Sequence, residues 1–213
     1  MLSTKVNIFA NVKTEEIDKL MKSSLTRNFS KGDIIIHAGD VGKHLYIILM
    51  GEVKVLQPSR DGSTQKLLSF LSAGEYFGEI GLIMNSKRTA DVIATKTSKI
   101  LLLSEKNALD FMAKHKEVMF NVLKNSLTRI YELSIDTEIS AMSAYDKIYY
   151  FLKHRLSRQD ENEQEYVVKK DIPSVAKIAD YIGLHRSTVH DNLKLLYKNK
   201  RLIQEEELVY FTD

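Results

Sequence analysis

The sequence predicts an α+β chain: an antiparallel β-roll or jelly-roll barrel, then a long helix, then a C-terminal winged helix-turn-helix. Three observations predict it. Between residues 26 and 103, short β-branched or alternating runs recur between glycine-marked turns, the pattern of many short strands. From Ser104 onward, apolar residues recur at helical spacing for several turns. From Asp171 to Ile203, two helical patterns flank Gly183, and a hairpin pattern follows. The parts are expected at 1–105, 106–141 and 142–213, with the long middle helix serving dimerisation.

The chain has 213 residues, enough for one large domain or two small ones, and a formal net charge of only +3. Charge alone does not announce a nucleic-acid binder; clustered basic residues would permit one. There is no cysteine. That removes disulfides, thiolate metal sites, cysteine nucleophiles and cysteine-held iron–sulfur clusters. The first residues carry no basic-then-apolar signal, and no apolar run approaches membrane-spanning length. The expectation is a soluble cytoplasmic protein.

Residues Met1 to Leu25 read as helical and peripheral. Thr14-Glu15-Glu16-Ile17 gives a capping-type start, and Ile17, Leu20 and Met21 form the apolar stripe. Strand runs follow at Ile34–Ile36, Leu45–Leu49, Val53–Val55 and Leu67–Leu71, then at Val92–Ala94 and Ile100–Leu103. His37 and His44 fall in this section and read as ordinary surface or turn histidines, without metal-ligand spacing.

The chemistry concentrates in Phe77-Gly78-Glu79-Ile80-Gly81-Leu82 and Lys87-Arg88-Thr89-Ala90-Asp91-Val92. Gly78 and Gly81 let backbone approach a ligand, and a short turn of helix after them would aim N–H groups at an anion. Glu79 can accept from a sugar hydroxyl. Arg88 brings a planar fork of donors suited to phosphate, with Thr89 and the Ala90 N–H beside it. One sugar-reading acid and one phosphate-reading arginine describe a cyclic nucleotide. A triphosphate site would need a GxxxxGK[ST] loop, which is absent. The plain alternative is an ion pair between Glu79 and Arg88 at a barrel rim.

This segment resembles the phosphate-binding cassette of the cyclic-nucleotide-binding domain. The whole chain resembles the cAMP receptor protein/FNR family of bacterial transcription regulators. The resemblance extends through Lys31-Gly32-Asp33, Gly39-Asp40, Leu45-Tyr46-Ile47-Ile48 and Gly51-Glu52-Val53-Lys54-Val55. It implies a ligand site at Phe77, Gly78, Glu79, Ile80, Arg88, Thr89 and Ala90, with cAMP or cGMP as effector and neither metal nor haem. The missing cysteines argue against an FNR-type oxygen sensor. In the resembled receptor the long helix reads the base through a Thr-Ser pair. The matching positions here are Glu132 and Leu133, beside Ser134, so the pair is not reproduced. Arg-Thr-Ala is also a form that cGMP-accepting relatives often carry, which leaves cAMP only slightly ahead of cGMP.

Along the long helix, Phe120, Leu123, Leu127 and Ile130 have three-four-three spacing, the seam of a coiled coil. Met119, Val122 and Leu133 fall on the adjacent side. Such a helix suits two partners, the barrel and a second copy of itself; a single wide core stripe is the alternative. Ser143 is the expected N-cap of the next helix, whose apolar face holds Ile148, Phe151 and Leu152. Ser157 to Gln164 is a polar loop. The resemblance would make it a contact for RNA polymerase, whereas a solvated connector is the plainer reading.

Pro173 suits a helix start, and Val175, Ile178, Ala179 and Ile182 form the first apolar face. Leu184, Val189, Leu193 and Leu196 anchor the second helix, turning His185, Arg186, Ser187, His190, Asp191 and Lys194 outward. Arg186 can fork onto guanine O6 and N7, with Ser187 and His190 reading neighbouring edges. Ser174, Thr188, Lys194, Lys198, Lys200 and Arg201 are candidates for phosphate contacts. The family often has Arg-Glu and a later Arg here. Ser187 replaces the Glu, and Asp191 stands where the later Arg would be, so an unusual, palindromic double-stranded operator is expected.

The leading expectation is a homodimeric, non-enzymatic DNA-binding regulator controlled by a cyclic nucleotide. One alternative keeps the DNA reader but has a degenerate pocket. Another, of a different class, is a cyclic-nucleotide-dependent regulatory subunit of an enzyme or channel.

Overall fold

The computed structural model describes residues 7–59, 61–156, 167–169, 172–205 and 208–211; a few side chains within its helices and strands, Glu132 among them, lie outside that description. The chain divides into two compact units, Met1–Leu127 and Thr128–Asp213.

The first unit opens with a 3₁₀ turn at Asn7–Phe9 and helix α1 (Thr14–Lys22). Lys13 holds the N-cap position with no side-chain cap bond. Thr14 is therefore already helical, and the expected capping signal is not used. Eight strands follow: β1 (Leu25–Phe29), β2 (Ile34–Ile36), β3 (His44–Met50), β4 (Glu52–Pro58), β5 (Gln65–Ser72), β6 (Tyr76–Phe77), β7 (Asp91–Ala94) and β8 (Ser98–Ser104). They form two four-stranded antiparallel sheets ordered β1-β8-β3-β6 and β2-β7-β4-β5. That is the double Greek-key order of a jelly roll.

Alternation on the strands builds two cores. Ile48, Val53, Phe77, Val92, Ile100 and Leu102 form one cluster, joined by Phe29 and Tyr46. Leu45, Ile47, Leu49, Leu101 and Leu103, from the other face of β3 and β8, pack with Ile17, Leu20, Met112, Val118 and Val122 of the helices. The sheet ends where Ser104 accepts a hydrogen bond from the Asn107 amide (3.3 Å) and caps α3 (Glu105–Lys114).

The expected continuous helix breaks at His115 (φ −120°, ψ 92°), and α4 (Lys116–Ser140) begins after it. Residues here are held sideways: Lys114 Nζ lies 2.7 Å from Glu16, and the His115 ring is 4.3 Å from Phe111. On α4, Val118 and Val122 are buried, whereas Phe120, Leu123, Leu127 and Ile130 are exposed. Met119, expected beside Val122 against the barrel, is exposed with the seam residues.

In the second unit, Ser143 accepts from the Asp146 amide (3.2 Å) and donates to its carboxylate (2.7 Å), a reciprocal cap for α5 (Ala144–Leu156). Strand β9 (Val167–Lys169), helices α6 (Val175–Ile182) and α7 (Arg186–Lys198), and strands β10 (Leu202–Glu205) and β11 (Leu208–Phe211) follow. The strands form an antiparallel sheet ordered β10-β11-β9. Ile148, Tyr149, Phe151, Leu152, Ile178, Val189 and Leu196 form the core. Pro173 lies before the cap; Ser174 is the N-cap of α6, accepting from the Lys177 amide at 3.4 Å. The polar loop Ser157–Gln164 lies outside the described residues. Among the described residues no helix is long and apolar enough to cross a membrane, and no group of three or more His, Cys, Asp or Glu could hold a metal ion.

Candidate functional site

Antiparallel pairing sets Tyr46 of β3 opposite Phe77 of β6, and their rings stack at 5.0 Å with 7° between planes. The chain then turns at Gly78, whose φ of 87° is costly for any residue with a Cβ, and enters the short helix α2 (Glu79–Ile83). Glu79, its first residue, is only 6% exposed. Gly81 and Leu82 are buried below it, while Ile80 faces outward.

Arg88 returns to this corner and is likewise 6% exposed. Its backbone is pinned by Asp40 O to Arg88 N and Arg88 O to Gly39 N contacts, each 2.8 Å. One guanidinium nitrogen donates to Gly78 O at 2.7 Å, and the other to His44 O at 2.8 Å. The guanidinium carbon lies 5.4 Å from the Tyr46 ring centroid. A Cβ on Gly42 would overlap the guanidinium, and one on Gly78 would come within 2.7 Å of it. The ion pair weighed against a ligand site is absent: among the described residues no carboxylate is paired with Arg88. A buried cation held by carbonyls and an aromatic ring is incompletely compensated, and a bidentate anion is its natural complement.

The structure therefore brings Phe77, Gly78, Glu79 and Arg88 together, with Thr89 exposed and Ala90 buried beside them. Asp91 fixes the far side, accepting from the Ala38 amide at 2.7 Å and from Gln65 at 2.8 Å. Sequence reasoning missed Gly42, His44 and Tyr46. His44 is a half-buried strand residue whose carbonyl holds Arg88, which corrects its reading as an ordinary surface histidine; His37 is the exposed one. Burial first, then the charges of Arg88 and Arg27, hold the His44 imidazole below the usual histidine value. Leu133 and Ser134 belong to the second unit, where the Ser134 hydroxyl donates to Tyr131 O at 2.7 Å. The side chain of Glu132 lies outside the described residues.

Residues 26–115 match the family model of the cyclic nucleotide-binding domain. This stretch is a cyclic nucleotide-binding domain. Human cGMP-dependent protein kinase 2 is 30% identical over 105 residues, 49% of this chain and 14% of the kinase. The chain thus spans about a seventh of that relative's length. The cyclic AMP receptor protein of Thermus thermophilus is 25% identical over 146 residues, 68% of this chain and 67% of that protein.

Beyond the domain, the fold is that of cAMP receptor protein/FNR regulators. The c-di-GMP responsive global regulator CLP of Xanthomonas campestris superposes with a TM-score of 0.66 at 18% identity, covering 94% of this chain and 100% of that one. CprK complexed with OCPA gives 0.68 at 19% identity, covering 93% and 92%. The catabolite activator protein of Thermus thermophilus gives 0.55 at 22% identity, covering 97% and 93%.

A separate candidate surface lies on the second unit. Gly183, at φ 67°, ends α6 in a left-handed turn, and His185 is the N-cap of α7. Val189 and Leu196 are fully buried, each contributing about 1.5–3 kcal/mol of apolar transfer that fixes which face points out. His185, Arg186, Ser187, His190, Asp191 and Lys194 are exposed, Thr188 is half-buried, and Ser174 is exposed at its cap. Arg201 is drawn away from this set: its guanidinium lies 4.3 Å from the Tyr149 ring centroid.

Proposed function

We propose that this chain is a homodimeric, cytoplasmic transcription regulator whose affinity for DNA is set by a cyclic nucleotide. The observation that carries the ligand is Arg88, a buried guanidinium held by the carbonyls of Gly78 and His44 without a paired carboxylate among the described residues. A cyclic phosphate supplies the missing charge. Glu79 accepts from the ribose 2′-hydroxyl, and Phe77, Gly78, Ile80, Thr89 and Ala90 complete the cradle. Glu132, Leu133 and Ser134 remain the candidates for reading the base. cAMP is taken only slightly ahead of cGMP, and relatives named for each match this chain.

The DNA reading rests on the helix α6, the Gly183 turn and α7, followed by the β10–β11 hairpin, which we take as a winged helix-turn-helix. Arg186 reads guanine, Ser187 and His190 read adjacent edges, and Ser174, Thr188 and Lys194 set register on phosphates. His185 and Asp191 flank them. The exposed seam on α4 meets its copy in the dimer, and a two-fold protein fits a palindromic operator. Nucleotide favours one arrangement of the paired α4 helices, and that arrangement sets the spacing of the two recognition helices. RNA polymerase is a further partner, reached through the Ser157–Gln164 loop. No part of this mechanism is enzymatic.

Calorimetric titration with cAMP and then cGMP, at fixed salt, tests the pocket. We expect binding by the wild type and its loss in Arg88→Ala. Absence of binding in folded wild type would leave a regulator that answers another signal.

A further inference from the structure

Resting on the cyclic-nucleotide reading of the cassette, we propose that His44 is a second, pH-gated cation of that site. Once protonated, its imidazole joins Arg88 in holding the ligand's anionic phosphate, so affinity rises as pH falls.

His44 and Tyr46 lie two apart on β3 and so share one face of the sheet. Tyr46 packs with the inner cluster that contains Phe77, which turns His44 toward the same interior. The imidazole centroid is 6.2 Å from the Tyr46 ring, and the Arg88 guanidinium carbon is 5.4 Å from that ring. Arg88 also donates to the His44 carbonyl at 2.8 Å. Imidazole and guanidinium thus share one aromatic platform at the corner where the phosphate is expected.

The charged neighbours come from four elements. Lys43 precedes His44 in the chain. Across the ladder Ser104 is its partner on β8, with Glu105 following. The cassette contributes Arg88 and Glu79. Arg27 on β1 pairs with Ile100, which pairs with Ile48 of β3, so it lies on the same sheet face as His44. Burial, then Arg88, then Arg27 lower the proton affinity of the imidazole. An arriving phosphate offsets those two cations, so the proton returns more readily. Linkage then requires that binding take up protons and that protonation tighten binding, in a window at and below the ordinary histidine value. The cyclic phosphodiester keeps one charge across that window and adds no linkage of its own.

The test is calorimetry with cAMP and cGMP from about pH 5.5 to 8, in buffers of different ionisation heat, on wild type and His44→Gln. Expected for the wild type is an affinity gain on the order of three- to tenfold toward low pH, with a binding heat that varies with buffer. In His44→Gln both dependences flatten. The buffer dependence of the wild type needs no variant and reads proton uptake directly. A flat affinity in wild type that binds nucleotide, or a slope kept by His44→Gln, overturns the role of His44 alone. No binding at any pH, in wild type and variant alike, overturns the cassette reading and this inference with it.

Discussion

At the scale of single residues, the account turns on how Arg88 is held. The sequence motif names the arginine and the acid, but the cradle comes from elsewhere in the chain. Gly42, the His44 carbonyl and the Tyr46 ring lie more than forty positions before Arg88, and only strand pairing brings them to it. Gly42 matters because the guanidinium occupies the space a Cβ would take. Gly42→Ala is therefore expected to displace Arg88, weakening nucleotide binding at least tenfold and costing ~1–3 kcal/mol of stability. Titration alongside thermal melting checks this; unchanged affinity would show that Arg88 has room to spare. His44 also gives stability a direction with pH. Its proton affinity is lowered in the folded state, so the ligand-free protein loses stability as pH falls below the ordinary histidine value.

At the scale of elements, α4 carries two apolar faces with different fates. Val118 and Val122 are buried in the first unit's core, while Phe120, Leu123, Leu127 and Ile130 remain between 55% and 65% exposed. A folded helix leaving four large apolar side chains in water at coiled-coil spacing is the strongest single reason to expect a second copy. Leu127→Glu is predicted to shift the mass by light scattering from dimer to monomer while the circular dichroism of each unit persists. A dimer that survives the change would place the interface elsewhere. The elements also show how far sequence pattern reaches. Strand runs, the helix start at Ser104, the Ser143 cap and the Gly183 turn were legible because each has a local cause: alternation, a side-chain acceptor, a left-handed backbone. The break at His115 was not legible. Helical periodicity continues through it, and the break accompanies contacts of Lys114 and His115 with Glu16, far earlier in the chain. Pro173 marks the start of α6 from just outside it, where Ser174 provides the cap.

At the scale of the whole molecule, one chain joins a cyclic nucleotide-binding domain to a second unit that presents an exposed polar helix face. The cassette was readable from sequence because its chemistry is local, as was the outward face of α7, fixed by the Val189 and Leu196 anchors. Base preference was less readable, because Glu132, Leu133 and Ser134, the candidates for reading the base, do not reproduce the receptor's base-reading pair. In the proposed regulator, coupling between ligand and DNA is a difference in affinity between two states of a dimer, and no motif encodes its size. The most direct test is therefore anisotropy of a labelled duplex, selected in vitro for this protein, titrated with and without saturating cAMP or cGMP at one salt concentration. The account predicts that nucleotide changes duplex affinity at least fivefold and that Arg88→Ala abolishes the change. Equal affinity with and without a nucleotide that demonstrably binds would contradict it.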